Sequence, residues 1–297
     1  MKLKPDSKVL IQGITEPLGS HYAIRMKAYG SNVVAGVSPG HGGEMLDGIP
    51  IFDLVEQVLP VVGSVDTTII FVQPYLALDA ALEAIAARIR HIIIITGGIP
   101  PLDMISLLRT AEATNTLIVG SRSSGIIVPG KLLLGTHESE FYTPGNVGMI
   151  SRSGTLTYEI AWELTQAGLG QSMAVSLGRD VIVGSCFLQW LKILNEDENT
   201  KAIVLVGETG CGDEESTAGY IADEIDKPVI AYFAGRHAPA DKRLSAANPM
   251  IAYHMSIPLT DPGITQRQIA AFKQAKIPVA KRPSQIPELV KKALKKG

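Results

Sequence analysis

The chain has 297 residues, 46% hydrophobic and 5% aromatic, with a formal net charge of -2. That length favours two domains, and the near-neutral balance carries no global signal for a nucleic-acid or anionic-membrane partner. Two cysteines outside any CxxC spacing, no N-terminal signal pattern, and no apolar run near the ~20 residues of a bilayer span point to a reducing, cytoplasmic setting.

Aliphatic residues dominate, as in strands buried on both faces of a parallel sheet. Lys8 to Ile14 reads as the first strand. The turn Gly13-Ile14-Thr15-Glu16-Pro17-Leu18-Gly19 follows, then a helix over 20–28. Asn32 to Val37 is the second strand, closed by the glycine-rich loop Ser38-Pro39-Gly40-His41-Gly42-Gly43. Strands are expected at 67–72, 92–95 and 116–119, with helices at 76–88 and 102–113. Gly125 to Gly145 holds Pro129, Gly130, Gly135 and Pro144 without long periodicity, and reads as an inter-domain connection.

The alternation then restarts. Strands are expected near 147–150, 173–177, 202–206, 229–232 and 277–279. Helices are expected near 155–167, 184–195, 214–225, 266–275 and 286–295. Alternating strands and helices predict an α/β protein. The expected division is a Rossmann-like domain over 1–124, a connection over 125–145 and a second α/β domain over 146–297. The lysines at 291, 292, 295 and 296 read as one solvated helix face.

Ser151-Arg152-Ser153-Gly154-Thr155 stands between a short apolar run and an amphipathic pattern, the outline of a strand, a tight turn and a helix start. The first turn of a helix has free N–H groups and a partial positive charge. Small residues such as Ser153, Gly154 and Thr155 let an anion approach them. An ordinary capped helix fits the same residues. The Gly13-to-Gly19 turn is not a clean GxGxxG, and the second strand ends without the acidic residue of a dinucleotide site. It reads either as a weak ligand turn or as a plain βα connection.

Ser151 to Glu159 (SRSGTLTYE), Pro39-Gly40-x-Gly42-Gly43, Ile99-Pro100-x-x-Asp103-Met104, Gly125-Ile126-Ile127-x-Pro129-Gly130, Gly168-x-Gly170-Gln171-Ser172 and Gly207-Glu208-x-Gly210 occur in this order. On these motifs the whole chain resembles the alpha subunit of succinyl-CoA synthetase, an NDP-forming acyl-CoA ligase. The resemblance implies a CoA-binding Rossmann-like domain followed by a flavodoxin-like ligase domain. It implies CoA contacts at Thr15, Glu16, Pro17, Leu18, His41, Ile95, Thr96 and Gly97. It also implies a phosphate cradle at Ser153, Gly154 and Thr155, with Tyr158 on the substrate or partner side. Glu208 would orient a histidine that relays phosphoryl groups. A beta-type partner with an ATP-grasp fold would supply ATP or GTP with Mg, and a small carboxylic acid would be the co-substrate.

The chain departs from that pattern at central positions. The family's phosphohistidine lies in Arg-Met-Gly-His-Ala-Gly-Ala. The matching stretch here is Arg243-Leu244-Ser245-Ala246-Ala247-Asn248-Pro249. Ala246 has no atom to accept a phosphoryl group, and covalent relay needs a nucleophile. The family's glycine in the first turn is Glu16, and the lysine of its second loop is His41. Its Thr-Glu-Gly is Thr96-Gly97-Gly98. Its Pro-Asn-Cys-Pro is Ser121-Arg122-Ser123-Ser124, and its Gly-Gly-Asp is Gly178-Arg179-Asp180. His237, His254 and Cys211 read as loop or packed residues rather than replacement nucleophiles.

Two functions from different classes follow. One is the alpha-type half of an acyl-CoA ligase working without the standard relay. The other is a non-catalytic subunit, regulatory or structural, that binds CoA, a nucleotide or a small acid on the same scaffold. Fold does not decide between them.

Overall fold

The computed structural model describes residues 4, 6–207, 214–234 and 264–295. Its described residues fall into two compact units, Met1–Ser139 with Ile182–Ser185, and Glu140–Val181 with Cys186–Gly297.

The first unit begins with β1 (Lys8–Gln12), α1 (Pro17–Tyr29) and β2 (Asn32–Val37). Next come β3 (Met45–Leu46), β4 (Ile49–Phe52), α2 (Val55–Val62), β5 (Thr67–Ile70), α3 (Ala77–Ala86), β6 (His91–Ile94), α4 (Pro101–Thr114) and β7 (Leu117–Val119). The seven strands run in the order β3-β4-β2-β1-β5-β6-β7. All neighbours pair in parallel except the short β3–β4 ribbon. Leu10, Ile70, Ile92, Ile94 and Ile118 from the strands pack against Val55, Ala81, Ala84 and Leu107 from the helices. Strands this rich in aliphatic residues are what a sheet covered on both faces requires.

The first helix begins three residues earlier than its apolar periodicity suggests. Pro17 takes the opening position, where a missing N–H costs nothing and the fixed φ suits the helix. Helix α2 has no counterpart among the expected elements, because Pro60 sits inside it and proline reads as a helix breaker. Gly19 fixes the approach of α1 to β1, since a Cβ built on it would lie 2.1 Å from the Gly13 carbonyl oxygen.

The stretch expected to be an irregular connection carries a hairpin, β8 (Gly125–Val128) and β9 (Leu132–Gly135). Pro129-Gly130 makes its turn, with Gly130 at φ 71° and Lys131 N–H donating to the Val128 carbonyl over 3.0 Å. Proline then a positive-φ glycine is the type II arrangement. Helix α1 holds this hairpin. The Ser31 hydroxyl after α1 donates to the Leu133 carbonyl (2.7 Å) and accepts from the Leu133 N–H (2.9 Å). Tyr29 accepts from the Gly130 N–H, and Arg25 pairs with Glu138 at 2.7 Å.

His137 follows β9, fully buried, and its Nε2–H donates to the Gly125 carbonyl over 3.1 Å. Burial pushes its pKa down to about 4. The unfolded imidazole takes its proton near pH 6.5, so its contribution to stability is whole above that pH and is lost as pH falls toward 4. The integrated effect is about 3 kcal/mol. Urea midpoints between pH 7 and 4 are expected to fall less steeply for His137→Gln. An unchanged slope would contradict this assignment.

The second unit begins with β10 (Pro144–Ser151), α5 (Thr155–Gln166), β11 (Gln171–Ser176), α6 (Phe187–Glu196) and β12 (Ala202–Gly207). It continues with α7 (Glu214–Glu224), β13 (Val229–Phe233), α8 (Ile264–Gln274) and α9 (Ile286–Leu294). The strands β13, β12, β10 and β11 lie side by side and parallel. The strand expected near 277–279 is reduced to one parallel bridge between Val279 and Ala231. Trp190, Phe187, Leu191 and Leu194 of α6 are fully buried. The α/β class with two mainly parallel sheets is therefore the one expected from the alternation.

Candidate active site

In open parallel sheets, ligands bind beyond the carboxyl ends of strands where neighbouring connections diverge. In the second unit, β10 lies between β11 and β12. Its carboxyl end is Ser151, the start of the predicted anion loop. In the first unit, β1 lies between β2 and β5. Its carboxyl end leads into the Gly13–Gly19 turn. Each half thus presents its singled-out loop where the topology favours a ligand.

The loop after β10 is built from small hydroxyl residues. Ser151 Oγ lies 2.6 Å from Thr157 Oγ1 and accepts from the Ser153 N–H at 3.1 Å. Thr157 Oγ1 donates to the Ser153 carbonyl over 2.5 Å. These bonds fix the entry into α5 without using a side-chain cap. Gly154 is the N-cap residue and makes no side-chain hydrogen bond. The plain capped-helix alternative therefore lacks its cap, and the first-turn N–H groups keep their capacity for an anion.

Two guanidinium groups gather there. Arg152 is 8% exposed, and its Nε is buried without a hydrogen-bond partner among the described residues. Its Nη2 reaches the Asp180 carbonyl at 3.4 Å. Arg179 lies across Gly154, so a Cβ there would stand 2.8 Å from Nη1. Positive charge at a helix N-terminus is unfavourable by roughly 0.3–1 kcal/mol. An oxyanion between the helix start and the two arginines removes that penalty and gives charge-assisted bonds. Ser153 is buried and Thr155 exposed at this mouth. Tyr158 is half-buried one turn into α5, its ring 5.6 Å from that of Phe141, which also meets Trp162 at 6.1 Å. Sequence patterning singles out the loop but misses Arg179. A guanidinium 24 to 28 residues along the chain from the Ser151–Thr155 loop has no local signal to mark it.

At the first unit's strand ends, Thr15 Oγ1 lies 2.5 Å from Ser38 Oγ and links the two turns. Glu16 is the N-cap residue of α1 with extended backbone, and its carboxylate makes no capping bond. Thr15, Pro17 and Leu18 are exposed. The second glycine loop, where the resemblance implies a CoA contact at His41, is bound within the chain. The N–H groups of Gly40 and Gly42 both donate to Asp53 Oδ1, at 2.7 and 3.0 Å. A carboxylate of the chain already fills the amide nest that a phosphate would use. His41 turns to Glu44, with Nδ1 3.1 Å from Oε1.

Ile95, Thr96 and Gly97 follow β6 and are half-buried. Thr96 Oγ1 donates to the Val72 carbonyl over 2.6 Å, and its own carbonyl accepts from the Arg122 N–H at 2.9 Å. These positions and Thr15 follow the carboxyl ends of β6 and β1, two strands apart in the first unit's sheet. Glu208, Ala246, Cys211, His237 and His254 lie outside the described residues. No helix among the described residues is long and apolar enough to cross a membrane.

Comparisons with known proteins agree with this arrangement. Residues 4–98 match the family model of a CoA binding domain, and residues 150–258 match that of a CoA-ligase. Subunit alpha 2 of the ADP-forming succinate–CoA ligase of Archaeoglobus fulgidus is 41% identical over 288 residues, covering 97% of each chain. The malate–CoA ligase alpha subunit of Methylorubrum extorquens is 42% identical over 248 residues, 82% of this chain and 83% of that protein. Among solved structures, the ATP citrate lyase of Methanothrix soehngenii, in complex with citrate and coenzyme A, superposes with a TM-score of 0.85. It is 20% identical, and the match covers 100% of this chain and 51% of that one. The chain therefore spans about half the length of that structure, which speaks for the fold alone.

Proposed function

The chain belongs to the family of succinate–CoA ligase alpha subunits, and from that premise we propose that it is the CoA-binding half of an acid–CoA ligase that has lost the phosphohistidine relay. The observation that carries the reading is the start of α5, where Arg179 lies across the uncapped Gly154 and the buried Arg152 reaches the carbonyl of Asp180, next to Arg179 in sequence. Such a mouth suits a phosphoryl group, while Ala246 stands in sequence where the family's nucleophile would be.

The first unit's residues fit CoA in part. The start of α1, with Thr15, Glu16, Pro17 and Leu18, and the strip Ile95-Thr96-Gly97 would hold it. The loop around His41 contributes less, because Asp53 occupies its amides. CoA supplies a thiol that becomes a thioester. This chain's residues bind the coenzyme, orient it and neutralise oxyanions at the α5 mouth. Tyr158 stands on the face where acid or partner would approach. ATP or GTP with Mg would come through a beta-type partner with an ATP-grasp fold, and a small carboxylic acid would be the substrate. Without a nucleophile at Ala246, phosphoryl transfer would go directly to the acid and not through this chain.

The second reading, a non-catalytic binding subunit, draws support from Asp53 filling the glycine loop. One experiment separates them. Labelled ATP, a beta-type partner and a panel of small acids are incubated with the chain, and acyl-CoA and protein-bound label are both followed. Acyl-CoA without label on this chain is expected. Label on His237 or His254 would refute the lost relay. CoA bound at micromolar concentration without turnover would leave the binding subunit.

A further inference from the structure

We propose that Asp53 sets the ribose specificity of the coenzyme site. Its open carboxylate oxygen accepts a hydrogen bond from an unsubstituted ribose hydroxyl and repels a phosphate there, so the chain prefers dephospho-CoA to CoA. The proposal rests on the CoA reading of the first unit. In a doubly wound sheet a nucleotide lies across the carboxyl ends of the central strands, with its phosphates at the first βα turn and its ribose by the end of the second strand. Here those places are the Gly13–Gly19 turn and the loop after β2, which Thr15 Oγ1 and Ser38 Oγ join at 2.5 Å. Strand β4 borders β2 on its other side, and Asp53 is the first residue after β4. The neighbouring strand end therefore delivers a carboxylate to the ribose position.

The two oxygens of that carboxylate are used unequally. Oδ1 accepts from the N–H groups of Gly40 and Gly42, which braces the loop. Among the described residues Oδ2 has no hydrogen-bond or ion-pair partner. A Cβ on Gly42 would stand 2.4 Å from Oδ2, so glycine leaves room for this oxygen. The carboxylate does not cap α2, because Gln57 Oε1 accepts from the N–H groups of Asp53 and Leu54, at 3.1 and 3.4 Å. Bracing needs one acceptor oxygen, which an asparagine would also supply. The charge and the second oxygen are surplus to it.

The surroundings have the same sign. Residues 38–53 include Glu44, Asp47 and Asp53 and no lysine or arginine. His41 faces Glu44 at 3.1 Å, and Lys27 pairs with Asp47 at 3.4 Å. A phosphate by this loop would meet carboxylates and no uncommitted lysine or arginine. A hydroxyl would donate to Oδ2 in a charge-assisted bond. An acid at this place favours a free ribose hydroxyl, as an arginine favours a ribose phosphate.

Calorimetric titration of the full chain with CoA and with dephospho-CoA, which lacks only the phosphate on the ribose, tests the proposal. Wild type is expected to bind dephospho-CoA more tightly by about tenfold, the size of one hydrogen bond to a charged group. Asp53→Asn keeps the brace through its amide oxygen and removes the charge. It should bind CoA more tightly than wild type does and dephospho-CoA less tightly, which brings the two affinities together. Wild type binding CoA as tightly as dephospho-CoA, or a preference unchanged in Asp53→Asn, would overturn the proposal. Failure of both ligands to bind wild type would instead overturn the CoA reading, and the proposal with it.

Discussion

Inorganic phosphate titrated into the full chain is expected to bind at the start of α5, and Arg179→Glu is expected to abolish that binding. Arg179 lies against Gly154 at the uncapped helix start. Replacing its guanidinium by a carboxylate removes an attractive charge and installs a repulsive one. Loss of one charge-assisted hydrogen bond costs about 1.5–3 kcal/mol. Reversal of charge costs more, so the affinity should fall by about a hundredfold or beyond. Arg179→Ala is the milder form, with a drop of about tenfold. Arg179 is exposed on its own loop, so neither change disturbs the core, and circular dichroism should be unaltered. Arg152→Gln should also weaken binding, and its buried position makes it the less clean variant. Equal phosphate affinity in Arg179→Ala and wild type would remove Arg179 from the site.

The largest effect on stability is expected from Gly19→Ala. The added methyl would stand 2.1 Å from the Gly13 carbonyl oxygen and 3.1 Å from its carbon. Both atoms are backbone, so no side chain can rotate away. Helix α1 must shift off β1, with a cost of about 3 kcal/mol or more. Gly219→Ala is the matched contrast. Gly219 lies in α7 with nothing within 4 Å of a built Cβ. There the same substitution relieves backbone entropy and should stabilise by about 0.5–1 kcal/mol. Urea midpoints followed by far-UV circular dichroism should move in opposite directions. A small or absent shift in Gly19→Ala would mean that the α1–β1 contact is looser than described.

Much of the fold is legible in the residues because its strands are aliphatic and its helices alternate with them. Asn32 to Val37 is read to the residue, β11 and β12 within two residues at either end, and β10 within three. The strands around 45–52 and helix α2 are not, for local reasons. Two- and four-residue strands carry too few side chains to show a period, and Pro60 inside α2 hides a helix. The β8–β9 hairpin had its signal in Pro129-Gly130 between two apolar runs. Reading glycine and proline as punctuation of a connection concealed it. At the candidate sites, local chemistry was visible and long-range chemistry was not. Ser153-Gly154-Thr155 announces an anion-ready helix start. Arg179 over Gly154 and Asp53 under Gly40 and Gly42 depend on chain segments brought together by folding. The Asp53 contact also changes the meaning of a motif. In sequence Gly40 to Gly43 is only a glycine-rich loop; in the fold the N–H groups of Gly40 and Gly42 already hold the Asp53 carboxylate.

Ser31 has a consequence of another kind. Leu132-Leu133-Leu134 makes β9 a flat, wholly apolar strand at the edge of its sheet. An edge of that composition is a template on which a foreign strand can grow. The Ser31 hydroxyl engages both the N–H and the carbonyl of Leu133, the pair of groups a new strand would need first. One side chain thereby does the work of a neighbouring strand without offering an edge of its own. It acts as a terminator, satisfying the two outward groups of Leu133 on a strand whose side chains are themselves buried.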